Sequence, residues 1–202
     1  MSKIGFVTRK VHSLAGVVPL TVFLFEHLYL NSFALKGAEA YNQKIAFMKG
    51  LPYLGFIELV FIFMPLLFHS IYGIYVVYLS KNNVLQYPYY RNWLFYLQRL
   101  TAIVTLVFVS IHIYSLRFAN LLYGKEVSFA AMQELLLNPW VLAFYVIGVI
   151  ATVFHMSNGL WGFLVSWGIA VGPRAQQVLS AVCGMIFILL SYVGINALMA
   201  FV

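Results

Sequence analysis

Four histidines, His27, His69, His112 and His155, each lie inside a separate long apolar stretch of a 202-residue chain. An ionisable side chain in an apolar span is costly to bury and marks a functional site by default. Neutral imidazole is a ligand for iron, zinc, copper and nickel. The surroundings of the four repeat in pairs. Val22-Phe23-x-x-x-His27-x-Tyr29 returns as Val107-Phe108-x-x-x-His112-x-Tyr114. Phe68-His69-x-x-x-Gly73-x-Tyr75 returns, with tryptophan for tyrosine, as Phe154-His155-x-x-x-Gly159-x-Trp161. Two pairs of intramembrane imidazoles point to two metal centres, each held between two helices.

Such centres need long helices, and the composition supplies them. The chain is 63% hydrophobic and 8% charged, with a mean hydropathy of +0.93. Apolar runs of about 20 residues read as transmembrane helices. Five occur, at about 11–33, 54–79, 93–116, 140–171 and 178–202. The expected fold is an all-α membrane protein, a single transmembrane domain over 1–202 whose first four helices form a bundle. The net charge of +7 is then a topology signal in contact with membrane lipid, not a nucleic-acid surface. The single Cys183 excludes an intrachain disulfide and a Cys-x-x-Cys-His haem attachment.

Lys3, Arg9 and Lys10 precede the first run, and Ala38-Glu39-Ala40 has the outline of a signal cleavage site. A signal core is only about 7–15 residues long, whereas this run is longer and carries Glu26 and His27, so it reads as a span. In the connection after it, Ala38, Tyr41, Ile45 and Met48 recur at helical spacing and predict a short interfacial helix. Ser128 is placed to cap a second short helix through Leu137. Pro19 and Pro65 predict kinks. With the N-terminus inside, the inner segments hold Lys3, Arg9, Lys10, Lys81, Arg91, Arg99 and Arg174 and no acid. The outer ones hold Lys36, Lys44, Lys49, Arg117 and Lys125. That bias favours a cytoplasmic N-terminus.

A helix rises about 1.5 Å per residue, so depth can be counted. From Lys36 and Arg117, His27 and His112 lie roughly 13 and 8 Å deep. From Pro52 and Pro139, His69 and His155 lie roughly 26 and 24 Å deep. Two levels result, an outer pair (His27, His112) and an inner pair (His69, His155), roughly 15 Å apart. They would stack two flat cofactors inside the four-helix bundle. Two imidazoles on opposing helices suit the axial positions of a haem iron. A closed zinc site needs four ligands, and each level offers two histidines and no cysteine. Gly73 and Gly159 follow a ligand by four residues, hence on the same face, where a porphyrin edge could approach or two helices could pack.

Several further motifs are specific: Arg9-Lys10-Val11-His12-Ser13-Leu14-x-Gly16-Val17, Gly37-Ala38-Glu39-Ala40, Lys81-Asn82-Asn83, Arg91-Asn92-Trp93, Leu97-Gln98-Arg99 and Phe154-His155-x-Ser157-Asn158-Gly159-Leu160-Trp161. With them, nearly the whole chain resembles the di-haem cytochrome b membrane anchor of succinate:quinone oxidoreductases, the single-polypeptide type of Bacillus-like succinate dehydrogenases. The resemblance implies a bacterial cell membrane subunit with two b haems, ligated by the same two histidine pairs. It implies a flavoprotein and an iron–sulfur subunit docked on the cytoplasmic side, and electron exchange with a membrane quinone, usually menaquinone. The chain itself should have no dehydrogenase chemistry, since it carries no nucleotide loop and no cysteine cluster. Fumarate reductases with related anchors can carry a glutamate near the fourth ligand; here Val153 and Phe154 precede His155, which favours succinate oxidation. A fumarate reductase anchor, a cytochrome b of another quinone-linked dehydrogenase or hydrogenase, and a transporter without haem are the competing readings.

Within that frame Arg9, His12, Arg99, Arg117 and Arg174 are candidates for haem propionates, Arg99 and Arg117 at the inner and outer levels respectively. Glu26 and Glu58 are the only acids near the hydrocarbon and both lie towards the outer face, where they could hand protons to a quinone. His12 and Ser13 could instead line an inner quinone pocket.

Overall fold

A computed structural model describes residues 3–202 as helices joined by short turns. Five helices are long and apolar enough to cross a membrane: α1 (Gly5–Lys36), α3 (Leu54–Leu79), α4 (Tyr90–Tyr123), α6 (Pro139–Ser166) and α7 (Pro173–Met199). Two short helices fill the connections, α2 (Ala38–Lys49) and α5 (Phe129–Leu136). The chain is an all-α membrane protein, and no strand occurs among the described residues.

The span limits depart from the hydropathy runs where backbone geometry intervenes. Apolar residues continue to Val171, yet α6 ends at Ser166. Gly168 adopts a left-handed φ of 73°, and the amides of Ile169 and Ala170 turn back onto the Leu164 carbonyl at 2.9 and 3.1 Å. That is a glycine-dependent helix stop. Gly172 (φ 87°) and Pro173 then start α7 before the first apolar residues of the final run. Helix α4 runs on to Tyr123, where Gly124 (φ 65°) caps it.

Pro19 lies in a turn of π geometry, Gly16–Leu20, and a second such turn, Leu59–Phe63, precedes Pro65. Proline lacks an N–H and its ring clashes with the carbonyl four residues back. Widening the turn relieves both, so the expected disturbances take this form. A third π turn, Ile113–Phe118, begins directly after His112 without a proline.

Helix α6 packs against both α4 and α7, and α1 packs against α3. Close approach is made by small residues: Phe108 of α4 lies on Gly148, and Val149 and Leu28 lie against Gly194. The predicted connector helices form. Ser128 caps α5 by accepting from the Ala131 amide at 3.2 Å, and the Phe129 amide donates to Asn42 Oδ1 at 2.9 Å, joining α5 to α2. Tyr41, Phe129 and Phe201 pack ring against ring, with Leu136 fully buried beside them. Both long connections and the C-terminal residues thus close one end of the bundle, as five antiparallel spans require. The outward faces carry exposed Val22, Phe61 and Ile188, as a lipid environment allows.

Candidate metal centres

A cavity of about 1860 Å³ runs through the bundle and is lined by His12, His27, His69, His112 and His155. It exceeds the roughly 300–1,000 Å³ of an ordinary single-ligand pocket. The rings of His27 and His112 have centroids 5.8 Å apart and cross at 88°. Those of His69 and His155 are 6.1 Å apart and cross at 80°. Two metal–imidazole bonds of about 2 Å each, with the ring radii added, span a centroid separation of about 6 Å. Each pair therefore has the spacing of two ligands sharing one metal. Among the described residues no group of three or more His, Cys, Asp and Glu side chains could hold an ion. Each pair would thus offer a metal two protein ligands, which suits a macrocycle that supplies the remaining four.

The nitrogen left over on each inner ring is committed. His69 Nδ1 lies 3.0 Å from the His12 carbonyl, and His155 Nδ1 lies 3.1 Å from the Gln98 carbonyl. A carbonyl only accepts, so Nδ1 carries the proton in this arrangement and each Nε2 keeps its lone pair; Gln98 Nε2, 3.2 Å from His155 Nδ1, donates instead to the nearer His155 carbonyl at 2.9 Å. This is the arrangement that orients a histidine for metal ligation. In the outer pair, Phe23 packs on His27 (5.4 Å) and Phe108 on His112 (5.6 Å), each phenylalanine four residues before its histidine. His112 Nδ1 is buried without a hydrogen-bond partner.

The cavity also holds an uncompensated cation. Arg99 lies over the Phe95 ring at 3.7 Å, and both terminal nitrogens of its guanidinium are buried without a partner. A buried cation is costly unless paired, and a forked guanidinium is matched to a carboxylate. The paired imidazoles, the orphaned guanidinium and the volume of the space fit a haem carrying propionates.

The other candidates fall into three groups. Arg117 and Glu58 both line the cavity and satisfy each other through Arg117 Nε–H and Nη2–H to Glu58 Oε2 at 3.1 and 2.5 Å. Glu26 lines the same cavity and makes no ion pair among the described residues. Ser13 also lines it; its hydroxyl donates to the Lys10 carbonyl at 2.9 Å and accepts from Trp167 Nε1 at 3.0 Å. His12 is stacked on His69, with centroids 4.2 Å apart and planes 6° from parallel. Arg9 and Arg174 are exposed and lie outside the cavity lining.

Residues 80–193 match the family described as succinate dehydrogenase/fumarate reductase transmembrane subunit. The chain is also 50% identical, over 197 residues, to the succinate dehydrogenase cytochrome b558 subunit of Bacillus subtilis (strain 168), covering 98% of this chain and 97% of that protein. The chain belongs to the succinate dehydrogenase/fumarate reductase transmembrane subunit family. Its family match covers α4, α6 and α7 as far as residue 193, with His112 and His155, and the alignment to the relative extends the likeness through α1 and α3.

Four residues that matter to this family member's cavity carry no titratable signal in the sequence. Gln98 donates through Nε2 to the His155 carbonyl at 2.9 Å and accepts from Asn158 Nδ2 at 2.8 Å. Gly16 lies so close to the His69 ring that an added Cβ would sit 2.7 Å from Nδ1. Gly73 and Gly159, read from spacing as facing a cofactor edge, do line the cavity, but their nearest neighbours are His12 Nε2 and Gln98 Nε2 at 3.4 and 3.2 Å from a would-be Cβ.

Proposed function

We propose that this chain is the membrane anchor of a bacterial succinate dehydrogenase. In this reading it carries electrons from an iron–sulfur subunit, through two b haems, to menaquinone or a similar membrane quinone. One observation carries the reading: two histidine pairs at ligand spacing, 5.8 and 6.1 Å, share one cavity with an unpaired buried guanidinium. The name of the Bacillus subtilis relative, a cytochrome b558 subunit, supports it. Bound haem iron supplies reversible one-electron transfer at each centre.

The residues divide the work. His69 and His155 hold the inner centre, and His27 and His112 the outer one. Arg99 neutralises a propionate at the inner level. The N-terminus lies in the cytoplasm, and the inner segments, with Lys81, Arg91 and Arg174 and no acid, dock the iron–sulfur and flavoprotein subunits. An outer centre is of use when the quinone reacts near the outer face. Quinone reduction takes up two protons there. Glu26 adjoins His27 and makes no ion pair among the described residues, so it is the better placed of the two to relay them, whereas Glu58 is held by Arg117. Electrons moving outward to meet protons from outside couple the reaction to the membrane potential, about 2.3 kcal/mol per charge across 100 mV. Val153 and Phe154, which precede the fourth ligand near which related fumarate reductases can carry a proton-conducting glutamate, support succinate oxidation as the direction.

Haem extraction from the purified complex should give two b-type haems per chain, and a reduced-minus-oxidised spectrum should resolve two components. One haem or none would sink the reading. Separately, Glu26→Gln should slow quinone reduction about tenfold or more, within the range for loss of a proton-transferring group. Succinate oxidation by an artificial acceptor should be unchanged. A normal quinone rate in Glu26→Gln would move the proton path elsewhere.

A further inference from the structure

The paired motifs reflect a repeat of whole hairpins, α1–α3 and α4–α6, and each hairpin is closed by the same reciprocal bond. In the first, His69 Nδ1–H donates to the His12 carbonyl (3.0 Å) and His12 Nε2–H donates back to the His69 carbonyl (3.1 Å). In the second, His155 Nδ1–H donates to the Gln98 carbonyl (3.1 Å) and Gln98 Nε2–H donates back to the His155 carbonyl (2.9 Å). The partners are 57 residues apart in both hairpins. In both, the glycine four residues after the histidine faces the returning nitrogen: Gly73 faces His12 Nε2 and Gly159 faces Gln98 Nε2.

One irregularity has a structural account. His12 precedes His27 by fifteen residues, whereas Gln98 precedes His112 by fourteen. A π turn holds one more residue than an α turn. The π turn Gly16–Leu20 lies between His12 and His27. It accommodates the extra residue.

We infer that His12 and Gln98 are equivalent positioning residues, one per hairpin, that clamp the inner imidazoles with Nδ1–H fixed and Nε2 aimed at the shared centre. Neither needs to touch the metal. Each acts by holding its own backbone carbonyl against Nδ1 of the ligand, through the return bond from its side chain. The two side-chain types differ, yet both present a nitrogen donor at the end of a reach of similar length. The donor is therefore the property the position requires, and the stacking of His12 on His69 is secondary. Gly73 and Gly159 leave room for the clamp.

This inference rests on the reading of His69 and His155 as ligands of one centre. The test uses the complex purified with its soluble subunits. It follows the midpoint potential and the low-spin ferric resonance of the inner component, with the outer component as the control in the same molecule. His12→Ala and Gln98→Ala should each shift the inner potential and resonance and weaken inner haem retention about 10- to 100-fold, as loss of a group orienting a ligand does. The outer component should be unchanged. His12→Gln, which copies the second hairpin, should restore the inner component, and His12→Phe, which keeps a stacked ring without a donor, should not. An unaltered inner component in His12→Ala, or rescue by phenylalanine and not by glutamine, would overturn the clamp. If His12→Ala lost both components through misfolding, the glutamine and phenylalanine variants would still decide between donor and stack. The ligand reading fails by a different result: an inner component that survives His69→Ala.

Discussion

His69→Ala and His155→Ala should each remove the inner spectral component and leave the outer one at least partly assembled; His27→Ala and His112→Ala should do the reverse. The expectation follows from ring geometry. His69 and His155 face each other at 6.1 Å, and His27 and His112 at 5.8 Å. A centre with two protein ligands loses half its protein coordination when one is removed. The other histidine is then left buried with an unsatisfied nitrogen, a cost of about 1–3 kcal/mol. The effect is therefore all but complete at one level, and it is local. The inner rings are tied to α1 and α4 by backbone carbonyls, whereas the outer rings are braced by Phe23 and Phe108. The measurement is a potentiometric titration of each variant followed in the α-band. Loss of the same component in His27→Ala and His69→Ala would show that the pairs had been drawn wrongly.

The proximity within each pair was open to counting because a membrane helix turns residue number into depth at a constant rise. Five apolar runs and an alternation of short and long connections then decide which helix ends share a side. Other features escape that kind of reading. Hydropathy registers apolar surface and not φ, so it carries α6 to Val171, past a glycine at φ 73° that stops the helix at Ser166. The ion pair between Glu58 and Arg117 joins residues 59 apart. From sequence each was a separate candidate, the acid for protons and the base for a propionate, and only the packing of α3 against the outer end of α4 makes them partners. Gln98 gives no titratable or metal-binding signal at all. Its counterpart His12 does, and so it drew attention to itself as a propionate or quinone group, while its closest contacts are with His69. The spacing of His12 and His27, one residue more than that of Gln98 and His112, can be counted in the sequence, but the π turn that accommodates it lies in backbone hydrogen bonding.

Two glycine substitutions should separate the centres without touching a ligand. At Gly16 an added Cβ would stand 2.7 Å from His69 Nδ1 and 3.3 Å from Nε2, closer than side-chain carbons pack. The ring cannot retreat, because His12 is stacked on its face at 4.2 Å and the His12 carbonyl holds Nδ1. Gly16→Ala must therefore push His69 off the Nδ1 bond or force α1 and α3 apart. At Gly148 the added Cβ would fall against the Phe108 ring, 2.7 Å from Cε2 and nearer still to Cγ and Cδ2. Phe108 is buried in the cluster with Leu136 and Tyr145 and packs on His112 at 5.6 Å and 30°, so its displacement is passed to the outer histidine. Overpacking of this kind costs about 1–3 kcal/mol, or roughly a 5- to 150-fold weaker hold on the group beside it. Gly16→Ala should thus deplete the inner component and spare the outer, and Gly148→Ala should deplete the outer and spare the inner. Gly184→Ala, where an added Cβ meets nothing within 4 Å, is the control and should leave both in place. Haem content and the two α-band components of the three purified complexes provide the measurement. Equal loss of both components in Gly16→Ala and Gly148→Ala would mean that the glycines support the bundle as a whole and not the centres they face.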